Sequence, residues 1–156
     1  MFERMLVCLD GSELAEQILP YATEQALRFN SELTLLQVVP MPSSVYMASA
    51  TGELPQTSDM ITKDIQKQDA EAKAYLDGVA QSLRGKGINV ECVVLGPLQP
   101  GKAIAKYAQD NAIDLICIAT HGRSGLGRVV FGSVADFVLR ASGLPILVIK
   151  PKKAAT

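Results

Sequence analysis

The chain has 156 residues, of which 48% are hydrophobic and 20% charged, so size and composition fit one globular domain with a sizeable core. A formal net charge of −1 argues against a nucleic-acid binder, because such proteins usually carry a basic face. Aromatic residues, at 5%, are too few for a base-stacking surface. No apolar run approaches the ~20 residues of a membrane span, and we see no secretory leader, so we expect a cytoplasmic protein.

Residues that commonly carry chemistry are scarce in this chain. The one histidine, His121, excludes a site that needs two or three imidazoles. The cysteines, Cys8, Cys92 and Cys117, are odd in number, far apart, and each lies within an apolar run. We therefore expect buried free thiols in a reducing compartment.

In chain order, short apolar runs rich in β-branched residues alternate with longer amphipathic segments. Ser12 is the expected N-cap of the first helix, and Pro20 predicts a kink within that helix. The segment 40–58 has no clear period and is expected to be a lid, a partner surface or a disordered connector. The predicted strands are 5–9, 33–39, 89–95, 114–119 and 145–149, and the predicted helices are 12–30, 59–83, 101–111 and one beginning near Ser133.

This alternation predicts a single α/β domain over residues 1–150, followed by a basic tail at 151–156. We expect a five-stranded parallel sheet in the order 3-2-1-4-5 with helices on both faces, a Rossmann-like fold. The strand order reverses between strands 1 and 4, and ligands bind at the carboxyl ends of strands that flank such a switch point. The predicted binding region is therefore Asp10 to Ser12 together with Thr120 to Gly122.

The glycine-rich segment 122–133 is the strongest functional signal, because it leads from strand 4 into the last helix. Glycines allow a ligand to approach backbone N–H groups, and a helix N-terminus attracts anions. Arg123 and Arg128 would add positive charge to a phosphate site. Ser133 and Asp136 match a capping box that would define the helix start. The alternative interpretation is an ordinary loop with a glycine-capped turn.

Two side chains near this loop are candidate ligand contacts. Asp10 suits a ribose hydroxyl or an adenine amino group, and the alternative is that it caps the first helix together with Ser12. His121 either donates to a phosphate or ribose or bonds to backbone; as a catalytic base it would lack a nucleophile and an orienting partner.

A second glycine motif, G-x-x-x-x-G-K at residues 96–102, is not a phosphate-binding P-loop. Ala103 stands where a P-loop needs Ser or Thr to hold magnesium. Pro97 and Pro100 also remove two N–H donors. We interpret this segment as a tight turn between a strand and a helix.

These motifs together resemble the universal stress protein family, whose signature is G-x2-G-x9-G-[S/T]. Gly122, Gly132 and Ser133 match the signature, and Ala119 occupies its first glycine position. The resemblance also includes residues 9–12, 37–39 and 144–149, and it covers residues 2–150. One branch of the family lacks the glycine loop and does not bind ATP, so this chain is similar to the ATP-binding branch.

The resemblance implies that the protein binds ATP or a related adenine nucleotide, with or without Mg²⁺, at the switch point between strands 1 and 4. It implies that Asp10 contacts the nucleoside, that Val38 lines the adenine pocket, and that Cys8 and Leu9 form the floor of that pocket. The residues implied along the ribose and phosphates are Ile118, Ala119, His121, Gly122, Gly132, Ser133, Val134 and Ala135.

The resemblance further implies a homodimer in which the strand at 145–149 pairs across a two-fold axis and covers an otherwise exposed apolar edge. The hypothesis that follows is a nucleotide-dependent stress-response or signalling module with an unidentified protein partner. One alternative is a slow Mg²⁺-dependent ATPase in which Asp10 or His121 orients water. Another is a dimeric scaffold whose action does not depend on nucleotide.

Overall fold

The computed structural model describes residues 1–43, 45, 50–52, 58–120 and 132–152. Its strands are β1 (Arg4–Leu9), β2 (Glu32–Val38), β3 (Val90–Leu95), β4 (Leu115–Ala119) and β5 (Ile146–Ile149). Its principal helices are α1 (Glu13–Glu16), α2 (Leu19–Phe29), α3 (Ser58–Arg84), α4 (Pro100–Asp110) and α5 (Ser133–Ala141).

The strands form one parallel sheet in the order β3-β2-β1-β4-β5, which confirms the predicted order. Side chains of successive strand residues point to opposite faces, and both faces are covered. Val7 packs in a core that includes residues of α1, α2 and α3. Leu6 packs in a second core formed with α4 and α5. The strands are nearly all apolar because each of them contributes to both cores.

The predicted helix over 12–30 is two helices. Ser12 is the N-cap of α1, as predicted, and its hydroxyl oxygen accepts from the Ala15 amide. The helix stops at Glu16, and Pro20 lies in the first turn of α2. An N–H in the first turn has no partner within its own helix, so the proline removes no intrahelical bond there. The predicted kink inside one continuous helix is therefore wrong.

The segment that matched a P-loop forms a tight turn between β3 and α4. Gly96 has a φ of 147°, and a Cβ at this position would lie 2.4 Å from the Val39 carbonyl oxygen. This position therefore requires glycine for both conformation and space. The Leu98 amide donates to the same carbonyl oxygen at 3.3 Å, which ties the turn to the end of β2.

All three cysteines are free thiols. Cys8 and Cys117 are buried as predicted, but Cys92 is only half-buried, because β3 is an edge strand of the sheet. Burial raises the pKa of each thiol, that of Cys117 to about 12. Within the described ranges, every helix is too short or too polar to traverse a lipid bilayer.

Candidate functional site

A cleft of about 260 Å³ lies at the carboxyl edge of the sheet, where β1 and β4 are neighbours. After β1 the chain continues into α1 on one face of the sheet. After β4 the next helix, α5, lies on the other face. The cleft therefore lies at the switch point that the sequence predicted.

The residues that the sequence assigned to the nucleotide and that the structure describes all line this cleft. Of the predicted binding region, Asp10 and Thr120 line the cleft, whereas Gly11 and Ser12 do not. His121, Gly122 and Arg123 lie outside the described residues, as do Arg128 and most of the segment 40–58. The predicted residues that the structure brings together are Cys8, Leu9, Asp10, Val38, Ile118, Ala119, Gly132, Ser133, Val134 and Ala135.

One wall of the cleft is apolar. Leu36 and Val38 come from β2, Ile118 from β4 and Ile104 from α4. Cys8 adds a neutral thiol, because its burial, with a smaller effect of Cys117, raises its pKa. An apolar wall beside a few polar groups is typical of a pocket that holds a flat ring.

Asp10 is held in place at the end of β1 by the turn that starts α1. Its Oδ1 accepts from the Ser12 amide at 2.9 Å and from the Ser12 hydroxyl at 2.6 Å. Ser12 Oγ in turn accepts from the Ala15 amide at 3.1 Å. Gly11 makes the turn possible with a φ of 81°. Asp10 thus supports the helix cap and also lines the cleft.

The N-terminus of α5 forms the opposite, polar side of the cleft. Gly132 is the N-cap residue; its amide donates to the Thr120 carbonyl at 2.7 Å, and its carbonyl accepts from the Asp136 amide at 2.9 Å. Glycine has no side chain with which to cap the helix. The first-turn N–H groups of Ser133, Val134 and Ala135 therefore have no partner within their own helix and lie at the cleft.

The predicted capping box at this helix start is wrong. Gly132 has an extended backbone and its carbonyl accepts the first bond of the helix, so Gly132 is the N-cap and Ser133 is already the first helical residue. Asp136 then lies one position beyond the place that a capping-box carboxylate needs. Its Oδ2 instead accepts from the Arg140 Nε at 3.0 Å on the exposed face of α5.

Several residues that line the cleft were not predicted from the sequence. Leu36 lies two residues before Val38 on the same face of β2, so the strand period would have indicated it. Gln37 is a polar residue in an apolar strand, which was an available signal. It is 9% exposed, and its Oε1 has no hydrogen-bond partner among the described residues. The other missed residues are Ala15, Pro40, Pro100 and Ile104.

Comparison with known proteins assigns the chain to a family. The family model for universal stress proteins matches residues 1–150. The chain belongs to the universal stress protein family. This membership confirms the family that the glycine signature indicated.

Individual universal stress proteins resemble the chain over nearly its full length. It is 28% identical over 153 residues to Sll1388 of a Synechocystis strain, a match that covers 96% of this chain and 98% of the relative. The solved structure of MJ0577 of Methanocaldococcus jannaschii has a TM-score of 0.83 at 26% identity, with 99% of each chain covered. The likeness to universal stress proteins therefore covers nearly the whole chain.

A more distant member of the family has been solved with a ligand. This universal stress protein, in complex with cAMP, has a TM-score of 0.68 at 21% identity. The match covers 97% of this chain and 99% of that chain. At this level of identity the likeness shows a shared fold.

Proposed function

We propose that the protein binds an adenine nucleotide in the cleft at the carboxyl ends of β1 and β4, with ATP as the first candidate. The observation that carries this proposal is that an apolar wall and an uncapped helix N-terminus face one cleft. These two surfaces match the two halves of a nucleotide, a flat base and an anionic phosphate chain. The cAMP complex of a family member supports an adenine ligand.

In this proposal the base lies against the apolar wall. Val38 lines the adenine pocket, and Cys8 and Leu9 form its floor, all three being lining residues of the cleft. Asp10 contacts the nucleoside from the turn after β1. Its Oδ1 is already bonded to Ser12, so this contact would be made by a carboxylate whose orientation is set before the ligand binds.

The phosphates are proposed to lie at the N-terminus of α5. The N–H groups of Ser133, Val134 and Ala135 and the positive end of the helix dipole would bind them. His121, Gly122 and Arg123 belong to the loop that precedes α5 and are proposed as further phosphate and ribose contacts. Mg²⁺ would enter with the phosphates, which commonly supply ligands to this ion.

We further propose that the protein acts in the cytoplasm as a homodimer, as a nucleotide-dependent module of the stress response with a protein partner. Three free thiols fit a reducing compartment. Within the described sheet, β5 is an edge strand that pairs with β4 on one side only. A second copy of the chain could pair with its other side.

The first experiment is to denature the purified protein and to chromatograph the small molecules that it releases. The test variant is Gly132→Val. Gly132 has a φ of −66° and a ψ of 156°, which valine adopts readily, so the change adds bulk at the cleft without backbone strain. The matched control is Gly78→Val, at an exposed position of α3 where a Cβ would meet nothing within 4 Å.

We expect the wild type and Gly78→Val to release an adenine nucleotide, and Gly132→Val to release none. The retention time of the released nucleotide, compared with those of standards, then gives the number of its phosphates. If the wild type releases no nucleotide and binds neither added ATP nor added cAMP, the proposal fails. The dimeric scaffold would then be the better hypothesis.

A further inference from the structure

A second pocket, of about 400 Å³, lies at the same edge of the sheet but on the opposite face. Tyr75 of α3 packs against the core that contains Val7, whereas most apolar residues of the nucleotide cleft belong to the other core. Gln37 and Pro40 line both pockets. We call this site the α3 pocket. It is defined by Gly11, Gln37, Gln68, Glu71, Ala72 and Tyr75.

Three buried oxygen atoms of the α3 pocket have no hydrogen-bond partner among the described residues. They are Gln37 Oε1, Gln68 Oε1 and the Tyr75 hydroxyl. The Gln37 side chain comes from the carboxyl end of β2 and is more than nine-tenths buried. A buried polar atom without a partner costs free energy, so folded proteins rarely keep one unless a ligand or an ordered water satisfies it. Three such atoms in one pocket therefore indicate a binding site.

The charged groups around the α3 pocket are mainly acidic. Glu71 lines it, and its only ion pair among the described residues is a long contact of 3.9 Å to Lys67 on the exposed side of α3. Burial, and after it the hydrogen-bonding contact and charge of the Glu16 carboxylate and the charge of Asp10, raises the pKa of Tyr75, so its hydroxyl stays neutral. The Glu16 carboxylate is near the Tyr75 hydroxyl, but the two do not make a hydrogen bond of normal geometry. In the described chain, no lysine or arginine lines the pocket.

We propose that the α3 pocket binds a small organic molecule that carries a primary ammonium group. An ammonium group has three N–H donors and no acceptor, which complements a pocket whose unsatisfied atoms are oxygens. The Glu71 carboxylate adds a charge of the right sign. The same arrangement disfavours phosphate, carboxylate and other anions. The site lies on the other face of the sheet from most of the nucleotide cleft, with which it shares Gln37 and Pro40, and no contact in the proposed nucleotide binding uses its three oxygens.

The test uses the full-length protein and isothermal titration calorimetry with 1,4-diaminobutane as the probe. The matched ligand is 1,4-butanediol, which has the same length but carries hydroxyls in place of ammonium groups. The variants are Glu71→Gln and Tyr75→Phe, which remove one charge and one oxygen. The control is Glu24→Gln, because Glu24, like Glu71, is an exposed helix carboxylate paired with a basic residue four positions away. Urea unfolding checks that each variant is folded.

We expect the diamine to bind at least about tenfold more tightly than the diol, and each pocket variant to weaken diamine binding by about tenfold or more. Glu24→Gln should leave diamine binding unchanged. Equal binding of diol and diamine, an equal loss in Glu24→Gln, or no diamine binding at millimolar concentration would each overturn the proposal. So would a crystal structure in which water alone, or another part of the chain, satisfies the three oxygens.

The same proteins titrated with ATP and cAMP separate this proposal from the nucleotide proposal. Loss of nucleotide binding in Gly132→Val, with diamine binding retained, would show two independent sites. A wild type that binds nucleotide but no diamine would refute the α3-pocket proposal alone. A wild type that binds diamine but no nucleotide would refute the nucleotide proposal alone.

Discussion

At the scale of single residues, Asp10 combines a structural role with a position at the proposed nucleotide site. Its Oδ1 accepts two hydrogen bonds from Ser12, whose hydroxyl oxygen caps α1. The sequence suggested the cap and the ligand contact as two roles that can coexist. In the structure they are compatible, because the carboxylate that supports the cap also lines the cleft.

Replacing Asp10 separates these two roles. Asp10→Ala removes the acceptor of both Ser12 bonds, and we expect the free energy of unfolding to fall by about 1 kcal/mol. Asp10→Asn keeps an acceptor oxygen, so its stability should remain close to that of the wild type while nucleotide affinity falls. Urea unfolding and nucleotide titration measure the two effects. Equal stability of Asp10→Ala and the wild type would contradict the capping role.

Cys117 should make stability depend on pH in alkaline solution. Burial raises its pKa from 9.0 to about 12, so between these values the folded protein keeps a proton that the unfolded chain loses. The unfolded state then binds fewer protons, and the free energy of unfolding falls as pH rises, by at most about 1.4 kcal/mol per pH unit. This contribution is fully present below pH 9.

Cys117→Ala provides the comparison, measured by urea unfolding at a series of pH values under reducing conditions. Above pH 9 the stability of the variant should fall less steeply than that of the wild type, and below pH 8 the two profiles should run parallel. Profiles that stay parallel up to pH 11 would show that the thiol does not contribute.

At the scale of elements, the contact between α4 and α5 determines where the proposed phosphate site lies. Gly101 in the first turn of α4 is buried against Phe137 of α5. A Cβ at Gly101 would be 2.9 Å from the Phe137 Cβ and 3.0 Å from its ring. The nearest Phe137 atom is its Cβ, which is bonded directly to the backbone, so a rotation of the ring does not relieve the overlap. The two helices can therefore approach this closely because residue 101 is a glycine.

Gly101→Ala should displace α5 and with it the amides that line the cleft. We expect a loss of roughly 1–3 kcal/mol of stability and weaker nucleotide binding. Gly78→Ala is the control, since its Cβ would meet nothing within 4 Å in the middle of α3. It should stabilise the protein by about 0.5–1 kcal/mol. Thermal unfolding and nucleotide titration of both variants test this, and unchanged affinity in Gly101→Ala would contradict it.

At the scale of the whole molecule, the edge of the sheet at β5 is the proposed dimer interface. The carbonyls of Pro145 and Ile149 accept from the amides of Ile116 in β4 and of Thr120, which directly follows β4. Backbone groups of alternate residues point to opposite sides of a strand, so the N–H of Val148 points away from β4. A second copy could bond to this outward row.

Val148→Pro removes that outward N–H and keeps the bonds to β4, because proline is tolerated on an edge strand. We expect the wild type to sediment as a dimer and Val148→Pro as a monomer. Val148→Ala, which retains the N–H, should remain dimeric and controls for the loss of side-chain packing. A dimeric Val148→Pro would place the interface elsewhere, and a monomeric wild type would remove the dimer from the proposal.

The fold and the place of the cleft could be predicted because they depend on signals that are local in the sequence. Apolar runs separated by amphipathic segments specify parallel strands and crossover helices, and the handedness of crossovers leaves few strand orders. Asp10 follows β1, and Gly132 precedes α5. In any of these strand orders, the end of β1 and the start of α5 lie at the same edge of the sheet. That is why the predicted residues within the described chain lie together in one cleft.

Other features depend on contacts between distant segments and needed the folded chain. The helix start near Ser133 was predicted correctly, but its N-cap is Gly132, whose amide bonds to the distant Thr120 carbonyl, and not Ser133. Ile104 reaches the cleft because of how α4 packs on the sheet. The α3 pocket exists because packing of α3 brings Gln68 beside Gln37, 31 positions earlier in the chain. Periodicity determines which face of an element is buried, whereas the partner that the face meets is a property of the assembled sheet and helices.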